Sequence, residues 1–369
     1  MEKVKAAVMT GVNEPFDVRS YPLTPPAKGM AKIKMTASGI CGTDIHIHRG
    51  KIPVRTPTII GHELVGQVMD IAPEDSRQYA IAAGDHVIVD IACPCGTCLL
   101  CRTGDDANCV NMGVTNGGDP EVAPHLYGGY AEYNYSPVAN LIKIPENLKA
   151  RMTCVFACAG PTALHAFHLA EQANCPVKQA KVAVVQGLGP VGMFALIYLA
   201  SLGIENIMVI TARRNDAREQ LALKLGATKV FSLEQTGPDQ IISAIQAVSD
   251  GLGADLVYEA SGHPQAFPQG LAFLRNRGVY LVPGQYSNSG DVPIAPQLIT
   301  FKALHIIGSS QYSVSDVKNY LGFLQTIPQL HECIESLART YTVEQINEAI
   351  EDAKAGKNIK SMLVPNKTS

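Results

Sequence analysis

Fifteen residues, "CGTCLLCRTGDDANC", hold Cys95, Cys98, Cys101 and Cys109 at separations of two, two and seven residues. Glycine, asparagine and aspartates lie between them, which a packed core would not need. Four thiolates so spaced suit a tetrahedral zinc clamp. All four metal positions are then filled by protein, so this zinc would be structural. It would stiffen a lobe, 93–110, that has little apolar material of its own. Cys93 stands beside the set as a spare thiol.

A second set is spread more widely. Cys41 lies in "SGICGTDIHIHRG", and His62 and Glu63 lie in "IIGHELVG". These are soft-to-borderline ligands in glycine-flanked turns. A catalytic zinc takes about three protein ligands and keeps one position for water or substrate. Taken singly, His62 is more often a satisfied core histidine; the group as a whole points to a metal.

A third signal is "GLGPVG", comprising Gly187, Leu188, Gly189, Pro190, Val191 and Gly192. It ends a β-branched strand and opens a helix, the setting a dinucleotide fingerprint requires. Gly187 permits the tight turn, Gly189 lets backbone approach a pyrophosphate, and Gly192 lets helix and strand pack closely. The helix N-terminus supplies amide donors. An NAD site usually places an acidic residue roughly 20 residues further on. Here the second strand ends "ITARRND": Thr211 and Ala212 stand where the acid would, and Arg213 and Arg214 follow. Without the carboxylate a 2′-phosphate meets less repulsion, and guanidinium groups bind phosphate bidentately. The stretch therefore predicts NADP(H) over NAD(H). A solvated arginine pair with NAD bound is the competing reading.

The elements that must position these groups fall in two textures. From Val4 to about Asn140 short strands are broken by glycine and proline, as in "AKIKMTASGI" and "HVIVDIA". From about Arg151 strands and helices alternate: "KVAVVQG", "PVGMFALIYLASLG", "NIMVITA", "NDAREQLALKLGA", "ADLVYEASG". That is a βαβ series and predicts a parallel sheet covered on both faces. A length of 369 residues suits two domains. The 30 basic and 33 acidic residues leave a formal charge of −3, which gives no reason to expect a nucleic-acid or anionic-membrane partner. "VAVVQGLGPVGMFALIYLA" is apolar enough to suggest a membrane span, but "GLGP" breaks it. No secretory signal is visible, so a cytoplasmic location is expected, with the ten cysteines as ligands or core rather than disulfides.

Taken in order, "CGTDIH", "GHE", the four-cysteine lobe, "GGYAEY", "GLGPVG", "IIGSS" and "GKNIK" resemble the zinc-dependent medium-chain alcohol and polyol dehydrogenases, sorbitol- and threonine-dehydrogenase-like members included, over essentially the whole chain. The resemblance implies an α/β fold: a β-rich GroES-like catalytic domain at 1–155, a Rossmann doubly wound domain at 156–298, and a return to the catalytic domain at 299–369. It puts Cys41 and His62 on the catalytic zinc and Glu63 on the neighbouring carboxylate, able to bind the metal or exchange with water. Cys158 of "CAGPT" becomes the third ligand, with Cys154, one helical turn earlier, as the alternative. Thr43 and His46 match the family's proton relay. His48 reads as a surface residue or pocket wall, and His125 and Tyr127 as pocket candidates.

The implied chemistry is coherent. Hydride leaves a carbinol carbon only once the hydroxyl proton is gone. Zinc can lower a bound water's pKa from about 15.7 to about 7, worth about 12 kcal/mol, and a bound alcohol should respond similarly. Thr43 can accept the proton, and His46, with a side-chain pKa near neutrality, can release it. The expected protein is a homodimeric or homotetrameric, two-zinc, NADP(H)-preferring dehydrogenase of small secondary alcohols or polyols. Alternatives are an NAD-dependent threonine-, sugar- or cyclitol-type dehydrogenase, and a non-catalytic zinc- and nucleotide-binding redox sensor.

Overall fold

The computed structural model describes residues 2–285 and 287–366. The chain forms two compact units, Met1–Pro161 with Tyr312–Ser369, and Thr162–Gln311.

The first unit is built on strand Met30–Ile40. Ala31, Ile33, Met35 and Ala37 alternate inward and are fully or almost fully buried, the period-two pattern of a half-buried strand. It pairs antiparallel with Glu63–Ile71, with Tyr133–Pro137 near its start, and with Lys360–Leu363 near its end. Register shifts at Lys32/Ile33 and Met35/Ala37 bend it, as bulges do. One core cluster joins this sheet to Val4–Met9, Tyr130 and the late residues Ile346 and Ile350.

The register matters for chemistry. Gly39 pairs with Glu63, and Ile40 with Ser361. Three stretches far apart in sequence thus meet at one end of the sheet: Gly39–Cys41, His62–Glu63 and Lys360–Ser361. At the lobe, Ala92–Cys93 pairs with Gly113–Val114 and closes the base of the loop that carries the four cysteines.

The second unit is a six-stranded parallel sheet. Its order is Lys229–Ser232, Asn206–Thr211, Val182–Gln186, Ala254–Glu259, Leu274–Val282 and His305–Gly308. Numbered by sequence within the sheet this is 3-2-1-4-5-6, the dinucleotide-binding order, and the reversal lies between Val182–Gln186 and Ala254–Glu259. Val182–Gln186 is buried along its whole length, as a central parallel strand must be. The return to the first unit comes later than the expected residue 299. His305–Gly308 pairs with Leu274–Val282, so the second unit runs to Gln311.

Candidate active site and metal centres

In the lobe, the Sγ atoms of Cys95, Cys98, Cys101 and Cys109 all lie within 4.8 Å of one another. Backbone amides point at the sulfurs: Cys95 N–H donates to Cys109 Sγ at 3.2 Å, Cys98 N–H to Cys95 Sγ at 3.4 Å, and Cys101 N–H to Cys98 Sγ at 3.5 Å. Such donors favour thiolate. The Thr97 hydroxyl and amide, with the Cys98 amide, bring the Cys95 thiol down to about 5. Desolvation and the neighbouring Cys98 and Cys109 sulfurs push Cys101 up to about 12. One thiol is thus ready to ionise and another resists, because desolvation and the neighbouring sulfurs oppose charge there. The donor set and amide pattern fit a closed zinc site. Cys93 stands apart, with Sγ 3.5 Å from Asn140 Oδ1 and its thiol raised by burial.

The second cluster gathers Cys41, His62, Glu63 and Cys158, one ligand atom from each, again within 4.8 Å. Cys41 follows strand Met30–Ile40 and caps helix Gly42–His48. Cys158 immediately precedes helix Ala159–Gln172. The two sulfurs are 3.9 Å apart, and all ten cysteines are free. The Cys158 contact, with His62, draws the Cys41 thiol well below its usual range, while the same contact and burial raise Cys158. The contact thus favours the charge on Cys41 over Cys158, whereas a dication would favour thiolate at both. Cys154 is elsewhere: its Sγ donates to the Glu63 carbonyl at 3.2 Å, and burial pushes its thiol up to about 12.

Asp44 organises the cluster. Its Oδ1 lies 3.1 Å from His62 Nδ1 and its Oδ2 accepts the Cys41 amide at 2.9 Å. The carboxylate assigns one proton to Nδ1 and turns Nε2 toward the cysteine pair, where a metal would displace any proton it carries. Burial disfavours charge on His62, yet Asp44 and Cys41 outweigh it and hold its pKa well above the ordinary value.

Glu63 has a partner of its own, Lys360, in a direct Nζ–Oε2 ion pair. Both residues are 1 % exposed. Gly39 makes room for them: a Cβ there would stand 2.6 Å from Lys360 Cε and still closer to Glu63 Oε2. Burial pushes the Glu63 carboxyl up to about 7 against the pull of Lys360. Burial also opposes charge on Lys360, but Glu63 prevails and holds it at about 12. The direct contact favours the charged pair.

Thr43 and His46 lie on helix Gly42–His48, with Thr43 Oγ1 3.7 Å from Cys41 Sγ. Burial, then the charge of Lys51, lowers the pKa of His46. His48 is not at the surface or in a pocket wall. It is 3 % exposed, its Nε2 sits 2.8 Å from the Glu14 carbonyl, and its ring stacks on Phe16. His125 anchors its own loop through the Pro120 carbonyl at 2.9 Å and stacks on Tyr21. Tyr127 is half-buried, its ring lying where a Gly118 side chain would be.

In the second unit Gly187 has φ +95°, and a Cβ on it would lie 2.8 Å from Ser261 Cα. Gly189 caps helix Pro190–Ser201, and nothing lies within 4 Å of where its Cβ would be, so the backbone is open to a ligand. A Cβ on Gly192 would meet the Gly187 carbonyl at 2.1 Å. This is the geometry of a pyrophosphate cradle. Beyond it, Thr211 Oγ1 donates to the Arg213 carbonyl at 3.0 Å. Arg214 is engaged: Nε contacts Asp216 at 2.6 Å, and its amide donates to Glu234 at 3.0 Å. Arg213 is exposed and has no ion pair among the described residues.

Residues 27–146 match the family model described as alcohol dehydrogenase GroES-like domain, and 190–326 the one described as zinc-binding dehydrogenase. An L-threonine 3-dehydrogenase of Caldanaerobacter subterraneus is 32% identical over 280 residues, 75% of this chain and 74% of that protein. The chain belongs to the zinc-dependent medium-chain dehydrogenases. This dehydrogenase is also 28% identical to a 5-exo-hydroxycamphor dehydrogenase of Pseudomonas putida, over 98% of its own chain and 99% of the other. An alcohol dehydrogenase structure from Thermotoga maritima superposes with a TM-score of 0.89 at 26% identity, covering 99% and 100% of the two chains. Among the described residues, no helix of the dehydrogenase is long and apolar enough to cross a membrane.

Two residues of its site escaped the reading of the sequence. Asp44 carried a signal, since it lies within "CGTDIH", three residues after Cys41. Lys360 closes the motif "GKNIK", but nothing in the sequence pairs it with Glu63, 297 residues away.

Proposed function

We propose that the protein is an NADP(H)-preferring dehydrogenase of small secondary alcohols or polyols, with two zincs per chain. The carrying observation is the buried donor set of Cys41, His62, Glu63 and Cys158 beside Thr43 and His46. When bound, zinc supplies Lewis acidity at the substrate oxygen, and the nicotinamide supplies the hydride acceptor. Cys41, His62 and Cys158 hold that zinc, and Asp44 fixes the ring of His62. Glu63, tethered to Lys360, is the ligand in reserve. Thr43 accepts the hydroxyl proton, and His46, kept neutral by its lowered pKa, carries it toward solvent. Cys95, Cys98, Cys101 and Cys109 hold the structural zinc. The related hydroxycamphor and threonine 3-dehydrogenases support an alcohol substrate.

Gly187, Leu188, Gly189, Pro190, Val191 and Gly192 form the pyrophosphate turn. Thr211 leaves the ribose end without a carboxylate on its own strand, and Arg213 is the unengaged guanidinium for a 2′-phosphate. Arg214 contributes less, being held by Asp216. One observation favours the NAD reading: the Glu234 carboxylate sits on the Arg214 amide and could accept a ribose hydroxyl.

The test is kcat/KM with both cofactors, for the wild type and Arg213→Ala. A charged hydrogen bond contributes about 1.5–3 kcal/mol, so NADP should be favoured by about 10- to 150-fold. Arg213→Ala should remove most of that and leave NAD nearly unchanged. A wild type that prefers NAD, and is weakened toward NAD by Glu234→Ala, refutes the NADP reading.

A further inference from the structure

Glu259 ends strand Ala254–Glu259, next to the reversal in strand order. It is fully buried. One oxygen, Oε1, takes three hydrogen bonds: from Ser261 N–H at 2.8 Å, Ser261 Oγ–H at 2.5 Å and Gly262 N–H at 2.9 Å. The other, Oε2, is buried with no hydrogen-bond partner among the described residues. A buried carboxylate so unevenly satisfied is costly to keep.

The loop it grips touches the nucleotide turn. Ala260 N–H donates to the Gln186 carbonyl at 2.8 Å, which continues the strand pairing past Glu259. Ser261 then lies against Gly187, with its Cα and N 2.8 and 2.9 Å from where a Gly187 Cβ would stand. The Cβ of Ala260 is 3.4 Å from the equivalent point on Gly192. Both structural glycines of the cradle are therefore walled by residues 260–261. On its other side Glu259 meets Gly284, whose N–H donates to the Glu259 carbonyl at 3.0 Å. A Cβ on Gly284 would collide with Oε2.

We propose that Glu259 is a positioning residue for the cofactor: its carboxylate locks the 260–262 loop against the Gly187 turn and so sets the affinity of that turn for the dinucleotide. This rests on the cofactor reading above. Released from Oε1, the Ser261 and Gly262 amides can turn, and Gly262, at φ +64°, has little to hold it in that conformation. The cradle then has to be ordered by the ligand, which lowers affinity without touching the reacting atoms.

The test is titration of the zinc-loaded enzyme with NADPH and NADH, followed by nucleotide fluorescence, together with steady-state kinetics. Glu259→Ala should raise the Kd and cofactor KM about 10-fold or more, the loss expected from one charged hydrogen bond. Its kcat should stay within about 3-fold, and zinc content should not change. Glu259→Gln keeps an acceptor oxygen and should restore affinity to within about 3-fold of wild type. Gly284→Ala reaches the same carboxylate from the opposite side and should also weaken binding, which keeps the test open if Glu259→Ala does not fold. A folded Glu259→Ala or Gly284→Ala with wild-type Kd overturns the inference, as does a Glu259→Gln as weak as Glu259→Ala. A wild type that binds neither NADPH nor NADH overturns the cofactor reading itself.

Discussion

Replacing Lys360 with methionine strands the Glu63 carboxylate in a place water does not reach. Both members of the pair are 1 % exposed, so solvent screening does not soften the loss. In the zinc-free protein the nearest relief is protonation of Glu63, whose ordinary value is 4.5. Burial already pushes the carboxyl up to about 7 with Lys360 in place, so without the lysine the proton is held more tightly still or the charge is left unpaired. Removing one partner of a buried pair costs roughly 3–5 kcal/mol, which is the loss expected at pH 7. The sign follows from linkage. With Lys360 gone, the folded protein holds the Glu63 proton more tightly than the unfolded chain does. The deficit therefore grows as pH rises above 4.5 and shrinks to under about 1 kcal/mol near pH 5. Adding Glu63→Gln removes the stranded charge and should recover more than about half of the loss. Denaturant unfolding of the zinc-free wild type, both single variants and the double variant, at pH 7 and pH 5, measures all of this. A Lys360→Met protein within about 1 kcal/mol of wild type at pH 7 would refute the reasoning. So would a deficit independent of pH, or a double variant as unstable as the sum of the two singles.

Two further outcomes are expected. Cys98→Ser should lower the zinc content by about one per chain and lower Tm, while turnover per remaining zinc holds. Serine can still cap helix Leu99–Arg102 by accepting the Cys101 amide, so metal loss is the dominant effect; full zinc content with unchanged Tm would exclude the lobe as a structural site. His46→Gln should slow alcohol oxidation most below pH 6.5, because burial keeps His46 neutral and proton-accepting into that range, and such groups contribute about 100- to 10,000-fold. A pH–rate profile unchanged by the substitution would remove His46 from the proton path.

The features legible in the sequence are those whose partners are close along the chain. The four cysteines of the lobe span fifteen residues, so their spacing alone implies a clamp. "GLGPVG" is a local strand–turn–helix, and the alternation after Arg151 announces a parallel sheet because period and chain order are local properties. Where partners are distant, spacing is silent. Cys158 and Cys154 are one helical turn apart, and composition could not choose between them. In the fold Cys154 Sγ faces the Glu63 carbonyl and Cys158 Sγ faces Cys41, a contact no spacing predicts. His48 looked like a surface residue because "HIHRG" is polar, yet Phe16 and the Glu14 carbonyl bury it. The end of the second unit was misplaced because strand His305–Gly308 is recognisable only by its pairing with Leu274–Val282. The two arginines of "ITARRND" look equivalent in sequence, and only folding ties Arg214 to Asp216 while Arg213 has no ion pair among the described residues. Lys360 met Glu63 only because antiparallel register sets Ser361 opposite Ile40 and Glu63 opposite Gly39. Sequence alone specified which chemistry was on offer, since ligand type and local spacing are written in it. Tertiary structure decided which groups share a proton or a charge, because those choices depend on distance and burial across hundreds of residues.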